Sequence, residues 1–428
     1  MIRTYIYGEV PNEELFIRSR AIADVAPAVA EILENVRNRG DEALREYTRR
    51  FDGVELESFL VTPEEIEEGC AAVSEEFRAV LRQAAENIAE YHRNQIRSGF
   101  VMTRPKGVVL GQIVRPIERV GLYVPNGTAA YPSSLLMNCI PAKIAGCGLL
   151  VTVTPPDRNG KVSPAILAAA REAGVDRIYK IGGAQAIGAL AYGTESIPRV
   201  YKIVGPGNAF VAEAKKQVFG TVAIDTVAGP SEVLILADDG NDPKVVAADM
   251  LAQAEHDVLA TAVLITDSVS LAGEVAEELE VQLQSLPREK IARASIENNG
   301  KIVLVSDMDQ AVECANEIAP EHLEICLDDP FSYLGKIKNA GSIFLGKNAA
   351  EALGDYMAGP NHTLPTTGTA LFGSPLSVDD FVKKSQYTYY SREALQDIRG
   401  SIELFAEEEG LRGHADSIRA RFAERETS

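Results

Sequence analysis

The chain of 428 residues has five histidines, five cysteines and no uninterrupted apolar run of membrane-spanning length. A bilayer span needs roughly 18 or more apolar residues in sequence, so no membrane span is expected. The cysteines (Cys70, Cys139, Cys147, Cys314, Cys326) are odd in number and form no C-x-x-C pair. That argues against a disulfide framework and a cysteine zinc cluster, and they read as reduced, mostly buried small apolar residues. Basic residues are outnumbered 42 to 62 by acidic ones, for a net charge of -20. Nucleic acid and anionic membrane are thereby disfavoured as main partners, although a local basic pocket for a phosphate-bearing cofactor remains compatible. The G-x-G-x-x-G fingerprint of a standard dinucleotide fold is missing. Met1-Ile2-Arg3-Thr4-Tyr5 lacks the apolar core of a secretory signal, so the expected location is cytoplasmic.

What is present is the composition of a globular protein, 46% apolar and 24% charged, with length for two or three domains. Residues 20–97 predict helices at 24–39, 41–50 and 63–95, from apolar positions three and four apart. From about 120 to 270 short apolar runs alternate with helical stretches. Strands are predicted at 149–153, 177–181, 200–204, 232–237 and 261–266, and helices at 163–173, 184–192, 208–218 and 243–256. That rhythm implies mostly parallel sheets covered on both faces, with ligands beyond the carboxyl ends of the strands. Further strands are predicted at 302–305, 323–326 and 342–345. Residues 350–377 read as a structured loop and the tail from 392 as helix. Glycine marks the strand-to-helix turns at Gly182-Gly183, Gly205-Pro206-Gly207 and Gly229-Pro230-Ser231. Each is either plain turn chemistry or a place where backbone approaches a ligand closely, and together they favour a nucleotide crevice.

The scarce histidines carry the chemical signal. Four of the five lie in the second half, beside Asp, Glu, Gln or Asn. Imidazole is the commonest metal ligand and moves protons near neutral pH. Gln253 and His256, three apart on one predicted helix, share a face and can both offer a lone pair; a helix end with a solvated histidine is the alternative. Asp355 lies in a glycine-bearing segment near His362, where a carboxylate is often a turn former. Glu321-His322 follows Pro320 at a loop-to-strand junction, where an acid and an imidazole can face one cavity and pass protons in turn. His414 follows the Glu407-Glu408-Glu409 run. His92, in a charged helix, reads as a surface residue. These residues alone reach a nucleotide-binding α/β enzyme with a candidate metal site, and leave the reaction open.

The same blocks, in order, resemble the histidinol dehydrogenase family. The likeness runs through Val120–Pro125, Ile181–Ile187, Val204–Val211, Ala228–Val233, Gln253–Asp257, Ala319–Glu324, Gly354–Tyr356, Asn361–Thr366 and Glu409–His414, nearly the whole chain. It implies an α/β fold of two incomplete Rossmann-like parallel-sheet domains, with helical N-terminal and C-terminal dimerisation segments. The implied division is 1–20 with 378–405 as a helical arm, 21–120 with 235–377 as the catalytic domain, 121–234 as the NAD-binding domain, and 406–428 as a tail completing the partner's active site. Carried over by position, the zinc ligands are Gln253, His256, Asp355 and His414, one Zn2+ per subunit. The NAD contacts are Tyr123, Gln185 and Asn208. The substrate contacts are Ser231, Gln253, His256, His322, Asp355, Glu409 and His414. Glu321 and His322 are the proton acceptors, and His362 is given a supporting role. The implied reaction oxidises L-histidinol through L-histidinaldehyde to L-histidine with two NAD, in a cytoplasmic homodimer with a shared active site. Rival expectations are a related zinc- and NAD-dependent dehydrogenase of another polar alcohol, a zinc hydrolase using Glu321, an aldehyde dehydrogenase with Cys139 or Cys147 as nucleophile, and a non-catalytic binding protein.

Overall fold

Strand-helix alternation builds two parallel sheets in the computed structural model, which describes residues 2–11, 15, 25–126 and 130–423. The chain divides into two units, Met1–Ile96 with Ile117–Phe381, and Arg97–Pro116 with Val382–Ser428.

In the first unit, five strands run in the order Arg177–Lys180, Leu149–Thr154, Arg119–Tyr123, Lys202–Val204, Ala223–Ile224, all parallel. The chain leaves Arg119–Tyr123 for one neighbour and later returns to its other side. That reversal makes a topological switch point, where the two connecting segments part and leave a crevice. Tyr123 is the last residue of that central strand. The second sheet orders Arg3–Ile6, Lys301–Leu304, Thr261–Thr266, Glu232–Ala237, His322–Cys326 and Ser342–Leu345, again all parallel. Its inner strands Glu232–Ala237 and Thr261–Thr266 are buried along their whole length, as expected when both faces are covered. Most of the predicted strands and helices lie within a residue or two of their predicted places.

Several expectations are corrected. Residues 63–95 form two helices, Pro63–Ala72 and Glu75–Arg93, because the Ser74 hydroxyl accepts the Phe77 amide at 3.1 Å and starts a new helix. The 350–377 segment is not all loop, since Glu351–Tyr356 is helical. The segment 1–20 contributes an edge strand, Arg3–Ile6, pairing with Lys301–Leu304; residues 12–14 and 16–24 lie outside those described. The helical arm expected at 378–405 is a short 3-10 turn, Val378–Phe381, then the strand Val382–Tyr389, and only then the helix Arg392–Glu408.

The second unit is an antiparallel sheet, Val382–Tyr389, Val108–Pro116, Phe100–Arg104, together with the helices Arg392–Glu408 and Arg412–Ala420. Phe100–Arg104 is exposed at every residue, so no one-sided alternation marks it in the sequence.

Candidate active site

Glu321 and His322 sit where the six-stranded sheet begins. The helix Met308–Ile318 ends at Ala319 in a left-handed turn (φ 50°), and Pro320 and Glu321 lead into the strand His322–Cys326. The neighbouring strand holds both side chains. Glu321 Oε2 accepts the Glu232 amide at 2.9 Å, and His322 Nδ1 lies 3.0 Å from the Glu232 carbonyl. A carbonyl only accepts, so Nδ1 carries the hydrogen and Nε2 keeps its lone pair. Burial pushes His322 down to about 4, against the opposing pull of Asp355 and the Glu232 carbonyl, with His362 and His256 adding to the depression. The ring is therefore a neutral base at neutral pH. Burial drives the Glu321 carboxyl well above the usual range; the Glu232 amide opposes this, while the charges of Glu232 and Asp355 reinforce it.

The cation-ligand candidates gather beside this pair. Gln253 is on the last turn of the helix Pro243–Ala254, which stops short of the expected 256, and His256 lies just past the C-cap Glu255. His256, Glu351 and Asp355 place ligand atoms within 4.8 Å of one another. Glu351 and Asp355 are four apart on the helix Glu351–Tyr356 and share a face. The end of the fully buried Gln253 side chain lies 2.9 and 3.0 Å from the two Glu351 oxygens, favourable with its amide nitrogen turned to the carboxylate. His362 Nδ1 pairs with Asp355 Oδ1 at 3.3 Å, and its Nε2 lies 3.3 Å from Ser134 Oγ. Burial acts to raise Asp355, but the His362 hydrogen bond and the charges of His362, His322 and His256 outweigh it and hold the carboxyl below its ordinary value. Burial, then the neighbouring Asp355, Glu321, Glu324 and Asp249, push Glu351 well above its ordinary value. One imidazole, His256, and two carboxylates, Glu351 and Asp355, with the Gln253 amide on Glu351 and His362 on Asp355, are a donor set for a borderline metal such as zinc.

A cavity of about 500 Å³ opens beside this cluster. His256, Asp355 and Arg288 line its polar end, and Phe77, Leu81 and Leu136 its apolar wall. A second cavity, of about 230 Å³, is lined by His322, His362, Asn361 and Gly354. Ser231, partly exposed, immediately precedes Glu232, and its carbonyl accepts the Thr261 amide.

These groups lie at the amino edge of the six-stranded sheet, where strands start and helices end. That corrects the expectation of a site beyond the carboxyl ends. The physical reason is the helix dipole: the negative end of Pro243–Ala254 faces this edge and suits a cation. In the five-stranded sheet the helix amino termini face the carboxyl edge, and the expected coenzyme contacts lie there. There the Tyr123 hydroxyl accepts the Gly183 amide at 3.0 Å. Gln185 is buried two residues further on, its Oε1 without a hydrogen-bond partner. Asn208 caps the helix Ala209–Val218 by accepting from the Phe210 and Val211 amides. Gly205 has φ 114°, and a Cβ on it would fall 2.2 Å from the Tyr123 carbonyl, so only glycine fits this turn. The buried Lys215 donates to the Gly205 carbonyl, and the Gly205 amide donates to Asp225, itself paired with Lys215.

Glu409 and His414 belong to the second unit, at the end of Arg392–Glu408 and on Arg412–Ala420, both exposed. His92 is not a surface residue. It is fully buried, its Nδ1 is 2.6 Å from Gln95 Oε1, and its Nε2 is 3.4 Å from Asn361 Nδ2. Asn361 in turn donates to the Met137 carbonyl, so His92 secures the segment carrying His362. All five cysteines are buried thiols. Burial pushes Cys139 up to about 12 and Cys147 up to about 11, the opposite of an activated nucleophile. Glu351 escaped the sequence reading; the available signal was its four-residue spacing from Asp355, hidden while that stretch read as loop.

A sequence model of the family described as histidinol dehydrogenase matches residues 17–422. A histidinol dehydrogenase of Clostridium acetobutylicum is 54% identical over 427 residues, 99% of each chain. One of Bacillus thuringiensis is 55% identical over 402 residues, 94% of each. The crystal structure of histidinol dehydrogenase from Elizabethkingia anophelis superposes with a TM-score of 0.93 at 38% identity, covering 98% of each chain. With the family model, the relatives and the fold all in agreement over nearly the whole chain, the chain belongs to the histidinol dehydrogenase family.

Proposed function

We propose that this chain oxidises L-histidinol through L-histidinaldehyde to L-histidine, the closing steps of histidine biosynthesis, with NAD as oxidant and one zinc per subunit. The observation that carries the reading is the fixed tautomer of His322. The Glu232 carbonyl holds the Nδ1 hydrogen, so Nε2 is left as a base in a buried, acid-lined site.

The donor set fits zinc: Gln253, His256 and Asp355 would hold it, with Glu351 close by. The glycine cradle at Gly205, with Tyr123, Gln185 and Asn208 at the switch-point edge, fits a dinucleotide. When bound, zinc orients the substrate through its amine and imidazole nitrogens, and the nicotinamide ring accepts hydride in each oxidation. His322 Nε2 takes the alcohol proton as the first C–H bond gives up its hydride, forming the aldehyde. Glu321, as carboxylate, takes a proton from water while the water oxygen bonds to the aldehyde carbon, and His322 gives its proton to the carbonyl oxygen, which forms the diol and frees Nε2 again. His322 then takes a proton from the resulting diol as the second hydride departs, leaving the carboxylic acid. Ser231 binds the substrate beside the pair. Positioning of this kind supplies a large part of catalysis.

In this reading residues 121–234 serve the coenzyme, and 21–120 with 235–377 serve the substrate and metal. The 406–428 tail of a second copy brings Glu409 to the imidazole and His414 to the metal, in a cytoplasmic homodimer. The rival is a relative acting on another polar alcohol. Supplying purified protein with NAD and either histidinol or other amino alcohols separates the two. NADH formation with histidinol alone supports the proposal, and equal rates with an amino alcohol lacking imidazole would sink it.

A further inference from the structure

One half-buried carboxyl, that of Asp52, has an oxygen that no hydrogen bond reaches among the described residues. Asp52 follows the helix Asp41–Phe51, its amide donating to the Thr48 carbonyl at 2.9 Å. Its Oδ2 is sealed from solvent and accepts no hydrogen bond. Burial alone raises its carboxyl to about 6. A buried acceptor without a donor destabilises the protein that carries it, and such groups cluster where a ligand supplies the missing partner.

Its surroundings indicate which ligand. The helix Asp41–Phe51 packs on Gly183–Tyr192, and Tyr47 shares a core with Tyr123, Ile181 and Ala184. The charge of Asp52 is felt at the Tyr123 hydroxyl, which burial and then Asp52 raise to about 12 against the Gly183 hydrogen bond. A second sealed acceptor without a donor, Gln185 Oε1, lies in the same turn. Gly183 leaves space there, since its Cβ would come within 2.7 Å of that oxygen. One acceptor lacking a donor in the switch-point turn, and another at the end of the helix packed on Gly183–Tyr192, call for a ligand rich in hydroxyl or amide hydrogens. A vicinal diol fits, because both hydroxyls can donate to one carboxylate. A phosphate in the diol's place would set one negative group against another.

We propose that Asp52 accepts hydrogen bonds from a ribose diol of NAD, and is a binding residue that the family resemblance did not supply. The inference rests on the NAD reading of this edge. Calorimetric titration of the zinc-loaded protein, its Asp52→Asn and its Asp52→Ser forms with NAD tests it. Both variants are expected to bind NAD about tenfold or more weakly, the loss typical of a charged hydrogen bond. Their melting temperatures should equal or exceed that of the parent, because a sealed acceptor without a donor has been removed. AMP and nicotinamide mononucleotide, titrated separately, assign the diol: weakening in the AMP arm marks the adenosine ribose, and in the other arm the nicotinamide ribose. If it is the adenosine ribose, discrimination against NADP should also fall. NAD affinity within twofold of the parent in both variants overturns the role of Asp52. Failure of the unsubstituted protein to bind NAD at all overturns the coenzyme reading beneath it, a separate result.

Discussion

The Nδ1 of His322 lies 3.0 Å from the carbonyl of Glu232, and the amide of the same Glu232 donates to Glu321 at 2.9 Å. The backbone of one residue on a neighbouring strand thus holds both members of the proposed catalytic pair. The carbonyl selects the imidazole tautomer, and the amide aims the carboxyl. His322 is the first residue of its strand and Glu321 immediately precedes it, so the sheet edge positions both.

His322→Asn is expected to lower kcat by roughly 100-fold or more, the usual share of a positioned acid-base group. Zinc content, measured by atomic absorption, should be unchanged because His322 is outside the ligand cluster. Near-parental turnover would refute the base assignment.

Glu321→Gln keeps the acceptor oxygen toward the Glu232 amide but cannot take a proton from water. The first oxidation is expected to survive and the second to stall. NADH formed per histidinol consumed should fall from two toward one, with aldehyde trapped by semicarbazide. An unchanged stoichiometry would remove Glu321 from the hydration step.

The depressed His322 also bears on stability. Its native value of about 4 lies below the ordinary 6.5. Between those values the unfolded chain binds a proton that the native protein does not, so stability rises with pH and is lost as pH falls through the window. Relative to the parent, His322→Asn should melt higher at pH 5 than at pH 7.5. A difference in melting temperature that is the same at both pH values would show that the ring is not buried neutral.

His362 orients Asp355 through the 3.3 Å contact. Removing such a partner of a metal ligand typically weakens metal binding about 10- to 100-fold. His362→Ala should therefore release zinc to a chelator far more readily, as followed by a zinc-sensitive dye.

The shared-site proposal is open to complementation. His322→Asn and His414→Ala, each inactive alone, should recover about a quarter of parental activity when co-expressed, since random pairing gives half heterodimers with one intact site each. A site built within one subunit would leave the mixture inactive.

Legibility in the sequence followed the physics of each element. Strands such as Glu232–Ala237 and Thr261–Thr266 were readable because they are buried on both faces and composed of apolar runs. Phe100–Arg104 was not, because it is exposed throughout. Gln253 was visible on its helix, but His256, expected on the same face, lies two residues past the helix end, and Glu351 was concealed in a segment whose glycines and prolines read as loop. His92 looked solvated among charges, yet the segment around Asn361 covers it. The edge of the six-stranded sheet used by the site was also misjudged, because strand order and helix ends decide it and neither is local.

The most direct measurement is absorbance at the NADH wavelength with purified protein, L-histidinol and NAD, before and after chelation and again after zinc is restored. The account expects two NADH per histidinol, loss of the signal on chelation and its return with zinc. No NADH from histidinol, or an undiminished rate in the fully chelated protein, would contradict it.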